Sequence, residues 1–335
     1  MELSPRRRIA AEIISIVYIA IIAAVANATG AFYVLFPELG ALSHDVFTRP
    51  RGTWANSPLM LAITPVLTGA IGIAVTRALP YGFASVLLNV IGAIAVVLGL
   101  GSPVAPAISA GLLPLVLGVT SWWYPPGIMF GTVLLAMLST GWKGYAAKEG
   151  GVIETAAQAA EEAAEDITHE VAVPVRARRE KLAALLAFVA VAVLFVKLTG
   201  WRFILFPPLV VIGFEMFVHP DVCPWAKRPL MLPVACFLTA LGGFIFWKFL
   251  GVTPVCAALC MGWGIIVLRA LDLHVPPALA VALLPLVMTH PTIIYPFAVG
   301  LGTLLLTGWF FLCEWMLADF DPSDAVVATG SPPGV

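Results

Sequence analysis

The sequence predicts an all-α, polytopic membrane protein: two parallel repeats of about six hydrophobic segments each, some of them broken or re-entrant. Three observations predict it. The 335 residues are 61% hydrophobic and only 11% charged, with a mean hydropathy of +0.99, whereas a soluble chain carries about 25% charged residues. The apolar residues fall into runs of membrane-crossing length. The two halves of the chain also match each other at a nearly constant offset.

Six apolar segments can be drawn in the first half, at about 9–30, 31–47, 57–78, 82–101, 104–121 and 126–141. Six more follow at about 182–199, 202–218, 229–250, 252–271, 275–290 and 294–317. An upright crossing takes about 20 helical residues, and segments one, three and four of each half reach that. Segment two is short and polar at its centre. Segments five and six are punctuated by proline, so a broken or re-entrant course is expected, with irregular backbone shielded by protein or lining a wet cavity.

The match between halves begins with Phe36–Pro50 and Phe206–Pro220, which are 170 positions apart. Both keep Phe-Pro, Leu, an acid (Asp45, Glu215), Phe, a base (Arg49, His219) and Pro. One insertion near Trp54 and Trp225 moves the offset to 171, where Pro58-Leu-Met60, Pro106-Ala107, Leu112–Val116, Tyr124-Pro125 and Gly131 all find counterparts. Such duplication is a common plan of secondary transporters. The expected organisation is a first repeat over 1–141, a charged cytoplasmic linker over 142–181, a second repeat over 182–318 and a disordered tail over 319–335. Within the linker, Glu154 to Glu170 suits a surface helix.

Lys and Arg set the orientation. With an inside N-terminus and six crossings per half, fourteen fall on inside loops and four (Arg77, Lys197, Arg202, Lys248) outside. This predicts a multi-pass protein of the cell (inner) membrane with both termini cytoplasmic. Arg6, Arg7 and Arg8 before an apolar run resemble a signal peptide, but Arg178-Arg179 precede a matching run mid-chain. The first run is therefore expected to stay as a helix.

Ionisable residues inside such segments are functional candidates. Asp45 and Arg49, like Glu215 and His219, are four apart and share a helix face. They either anchor a helix end or face a cavity that takes an anion or a proton. Glu38 and His44 lie deeper and are not repeated. Phe36-Pro37 and Phe206-Pro207 suit helix starts, whose free N–H groups attract anions. Gly40 permits close backbone approach, and Ser43 lies one turn on. Arg269 and Asp272, three apart, are expected to pair, with His274 beside them. His290 has no counterpart. Cys256 and Cys260 share a face but read as small buried residues rather than a metal site.

No P-loop, GxSxG, HExxH or paired-Cys motif occurs, so no enzyme activity, cofactor or metal is expected. A net charge of −1 speaks against nucleic acid. The bilayer is the expected partner, and a homo-oligomer fits the sequence.

Leu39-Gly-Ala-Leu-Ser43, followed by a Phe- and Pro-bearing loop, resembles the Gly-Ala-Ser stretch of HPP-type integral membrane proteins. His274-Val-Pro-Pro-Ala278 resembles their His-Pro-Pro-Ala signature with Val275 inserted. The chain then resembles two HPP-like units in tandem, over about 10–141 and 182–317. The first lacks the His, having Pro103 there, and the second lacks the Gly-Ala pair. Members in cyanobacteria and plastids are associated with nitrite transport. The resemblance implies a transporter or channel for a small inorganic anion, running between the halves along segments two and five. The alternative is a non-transporting membrane module or subunit, docked through the linker.

Overall fold

The computed structural model describes residues 4–149, 175–221 and 223–318, and among these all regular structure is helical. The expected linker helix over 154–170 and the tail lie outside the described residues. The chain is an all-α membrane protein. Five helices are long and apolar enough to cross a bilayer.

The helices of the first half are α1 (Pro5–Thr29), α2 (Glu38–Thr48), the single turn α3 (Thr53–Asn56), α4 (Pro58–Ala78), α5 (Phe83–Gly99), α6 (Ala107–Leu117) and α7 (Tyr124–Glu149). Those of the second half are α8 (Val175–Thr199), α9 (Pro207–Val218), α10 (Met231–Leu250), α11 (Pro254–Ala270), α12 (Pro277–Leu283) and α13 (Ile294–Ala318). Short 3-10 turns precede α2 and α9 and follow α12. α7 runs on to Glu149 and α8 starts at Val175. Both ends of the segment expected as linker are therefore helical, as extensions of α7 and α8.

Composition explains the long helices. In α1 the buried stripe Ala11, Ser15, Tyr18, Ile22 and Ala26 recurs at helical spacing, while Ile9, Ile13, Val17 and Ile21 lie exposed. A helix with apolar side chains on both faces suits protein on one side and lipid on the other. Gly30 and Gly200 follow α1 and α8 at φ 70° and 76°, where a side chain would be strained.

The short helices have equally local causes. Pro37 caps α2 and Pro207 is the first residue of α9, fixing φ at each start. Both stop two residues before a proline, with Arg49 N–H bonding the Asp45 carbonyl at 2.8 Å and His219 N–H the Glu215 carbonyl at 3.0 Å. Segments two and five adopt the expected broken course, but segment six does not: α7 and α13 run unbroken, because their prolines fall in the first turn, where no helical bond is lost.

Contacts fix which ends meet. At one end lie the start of α1, the end of α2 and the end of α11, joined by Arg269, Glu12, Asp45 and His274. At the other, Asn27 donates to the Val252 carbonyl at 2.8 Å, Arg77 donates to the Thr120 carbonyl at 3.0 Å, and Lys197 sits 4.5 Å over the Phe83 ring. α2 packs against α12 and α6 against α9, so each short helix of one half meets a short helix of the other.

Matched positions make matched contacts. Tyr124 Oη donates to the Ala110 carbonyl at 2.9 Å and Tyr295 Oη to the Val281 carbonyl at 2.6 Å, both pairs buried. Each pins a long helix to a short one. Tyr124→Phe and Tyr295→Phe should each lower stability by about 0.6–1 kcal/mol, the usual worth of such bonds in membranes. Thermal unfolding in detergent would read this directly.

Candidate functional site

Buried ionisable side chains gather on α2, which carries Glu38, His44 and Asp45. The helix is buried from Glu38 through Phe47. Glu38 opens it, at 1% exposure. One oxygen, Oε1, accepts a hydrogen bond from the Ser109 hydroxyl in the first turn of α6. The other, Oε2, has no hydrogen-bonding partner. The depth of this pair follows from its neighbours. Leu39 packs on Gly131 of α7, and the Gly131 carbonyl accepts from Tyr18 Oη at 2.8 Å, near the middle of α1. Glu38 therefore sits about halfway through the helical layer, where α2 and α6 both begin.

Two turns further along α2 lies Asp45, also buried. Its Oδ1 accepts from Arg49 Nε at 2.7 Å and meets the second Arg49 nitrogen at 2.5 Å. His274 Nε2, from the loop before α12, lies 3.3 Å from the same oxygen. The His44 and His274 rings stand 6.4 Å apart, and His44 Nδ1 is buried without a partner. Arg49 reaches water with about half its side chain, so the pair spans the edge of the layer. Beside it, Glu12 binds Arg269 at 2.6 Å and Arg8 at 3.7 Å.

The expected site residues thus divide. Asp45, Arg49, His44 and His274 come together across the two halves. Ser43 turns back to the Gly40 carbonyl at 3.3 Å. Gly40 does allow close approach, but toward α12: a side chain there would strike Leu283 and crowd Met261. Glu215 and His219 are half-buried, and the His219 ring packs on Phe214 at 5.9 Å.

Asp272 requires a correction. It was expected to pair with Arg269, but Arg269 turns inward to Glu12. Asp272 lies past the end of α11 at φ 50°, with its carboxylate exposed and 3.5 Å from Arg228. The helix stops at Ala270, so the three-residue spacing no longer puts the two side chains on one face. His290 is exposed.

Sequence reasoning missed Ser109, Glu12 and Asn89. Asn89 is fully buried in α5 with neither amide atom hydrogen-bonded. A signal for Glu12 was available, since it falls beside Ala11 and Ser15 on the buried stripe of α1. A buried acid needs a partner. Nothing local pointed to Ser109.

The two carboxyls of α2 are chemically distinct. Asp45 is held by cations, whereas Glu38 meets a hydroxyl and no cation among its hydrogen-bonding partners. Positions equivalent to Glu38 and Ser109 in the second half are Pro208 and Ala280, and those equivalent to Glu12 and Arg269 are Leu182 and Leu98. The Glu38–Ser109 and Glu12–Arg269 pairs are thus built once, with no polar counterpart at the matched positions. Two apolar hollows lie elsewhere: a groove of about 450 Å³ by Phe47, Leu138 and Trp142, and a smaller one of about 120 Å³ by Val66 and Met129.

Fold and site together define a class, an all-α membrane protein with a buried polar seam. No protein-family model, curated protein or solved structure matches the chain.

Proposed function

We propose that the chain is a secondary transporter of a small anion, moving its cargo along the seam between two parallel repeats. The repeats are related by an axis along the membrane normal, and both termini are cytoplasmic. The single observation that supports this reading most is the buried polar line on α2. It runs from Glu38 and Ser109 at mid-depth to Asp45, Arg49 and His274 at the basic end. Ionisable groups are costly inside a membrane, and they mark ion paths and proton relays by default.

Charge favours an anion. At the basic end Arg8, Arg49 and Arg269 face Glu12 and Asp45, leaving one positive charge in excess. Deeper in, α2 and α6 begin beside Glu38, and helix starts favour negative charge. Short helices whose N-termini meet near the midplane are a recurrent plan of transporter sites. The seam is closed by Gly40 against Leu283, which suits a carrier that alternates rather than an open pore. The resemblance to HPP-type proteins makes nitrite the first anion to try.

Proteoliposomes holding the purified chain should take up nitrite or another small monovalent anion at least tenfold faster than protein-free vesicles. Uptake at the protein-free rate for every anion of the panel removes the reading. The close packing at Gly40 also favours a second reading, a non-transporting membrane module, and that result would leave it standing.

A further inference from the structure

We infer that Glu38 is the proton-coupling carboxyl of this path, so that each monovalent anion crosses together with one proton. The inference rests on the transporter reading and names its coupling ion.

The geometry carries it in three steps. First, Glu38 is the first residue of α2, and Ser109 lies in the first turn of α6. Each helix is eleven residues long and its dipole leaves its start positive, although the first N–H groups are turned back onto the carbonyls of Phe36, Pro37, Val104, Ala105 and Pro106. The place that would attract a cargo anion is the place Glu38 occupies. Two negative charges there exclude one another. Second, Glu38 is 1% exposed, and its Oε2 has no hydrogen-bonding partner. A proton can be added to Oε2 without breaking any ion pair. The resulting O–H can then donate to a bound anion. Third, the groups facing Glu38 from the neighbouring helices offer no rival proton. Tyr124 and Tyr295 are close enough to feel its charge. Their hydroxyls, and that of Tyr18, are already donated to the carbonyls of Ala110, Val281 and Gly131. The nearest charged group along α2 is Asp45, roughly 10 Å away by helical rise, with Arg49 and His274 bound to it. His44 lies beside His274, and Arg8 stands near His44.

The cycle balances. A proton from one side adds to Oε2, and the anion follows. The site reorients, the anion leaves to the other side, and the O–H bond breaks to release the proton there. One negative and one positive charge cross, so transport is electroneutral.

The test uses proteoliposomes of the full chain, a trapped pH dye and nitrate as probe beside nitrite, because nitrous acid crosses bilayers unaided. Uptake should follow an imposed proton gradient, acidify the lumen one proton per anion, and ignore a potassium diffusion potential. Uptake that follows the potential and brings no protons overturns the inference but leaves the transporter reading intact. Uptake of no anion removes both. Glu38→Gln mimics the protonated form. It should lose gradient-driven accumulation by tenfold or more, yet exchange labelled for unlabelled anion within about twofold of the native rate, independently of pH. A Gln variant that still accumulates anion against its gradient, or that elutes as a folded protein and no longer exchanges, overturns the assignment. If that variant fails to fold, Ser109→Ala takes its place: it removes the hydroxyl that donates to Glu38 and should shift the pH dependence of gradient-driven uptake, and an unshifted profile overturns the assignment.

Discussion

Gly72→Ala and Gly243→Ala should each cost the protein about 3 kcal/mol or more. A methyl group on Gly72 of α4 lands on the carbonyl oxygen of Gly111 in α6. A methyl on Gly243 of α10 lands on the carbonyl oxygen of Ala282 in α12. Overpacking a filled core costs about 1–3 kcal/mol when side chains can shift. Here the obstacle is the backbone of a buried helix, which can yield only by moving the whole element. The helices that would move, α6 and α12, are those that pack on α9 and α2 of the other half. Gly308→Ala in α13 is the control, because nothing lies within 4 Å of its added carbon. It should gain about 0.5–1 kcal/mol from the helix preference of Ala. Unfolding temperatures in detergent should fall for the first two variants and hold or rise for the third. Equal behaviour of all three would mean the helices do not touch as described.

The second large effect is an asymmetry within one ion pair. Arg49→Gln should destabilise by about 3 kcal/mol, and Asp45→Asn by about 1 kcal/mol. Removing one partner of a buried pair costs about 3–5 kcal/mol because the survivor stays buried and uncompensated. Here the two survivors differ. Asp45 is 1% exposed at its side chain, while Arg49 is 49% exposed. Without Arg49 the carboxylate keeps only His274 at 3.3 Å. Without Asp45 the guanidinium turns to water, and surface charges of that kind are worth little. The double variant Arg49→Gln with His274→Gln should lose more than the sum of the two singles, since both leave the same carboxylate. Chemical denaturation of the three variants side by side gives the comparison. A larger loss for Asp45→Asn than for Arg49→Gln would contradict the burial on which the argument rests.

Much of this architecture was legible from single residues. Phe36-Pro37 and Pro50 bounded α2, Phe206-Pro207 and Pro220 bounded α9, and prolines near 106 and 277 marked the starts of α6 and α12. Proline acts through its own ring, so its effect is local and survives any tertiary context. The Asp45–Arg49 pair was legible for the same reason, being one helical turn apart. The rest was not local. Glu38 and Ser109 are 71 positions apart, and their meeting depends on where two short helices begin within the layer. Arg269 had an acid three residues away, but the chain left the helix between them, and Glu12 won from the opposite end of the sequence. Spacing rules hold only while the helix does.

The reach of those two ion pairs bears on how the protein is made. Glu12 waits for Arg269, 257 residues later, and Asp45 waits for His274, 229 residues later. A ribosome adds about 5–20 residues per second. The first helix therefore spends roughly ten seconds or more with its acid held only by Arg8, the longer contact of the two. No Leu at position 182 or 98 faces that delay. Full pairing is thus bound to completion of the chain: the first half, released alone, would hold Glu12 with Arg8 and Asp45 with Arg49 only, each acid short of the second partner that the later half brings.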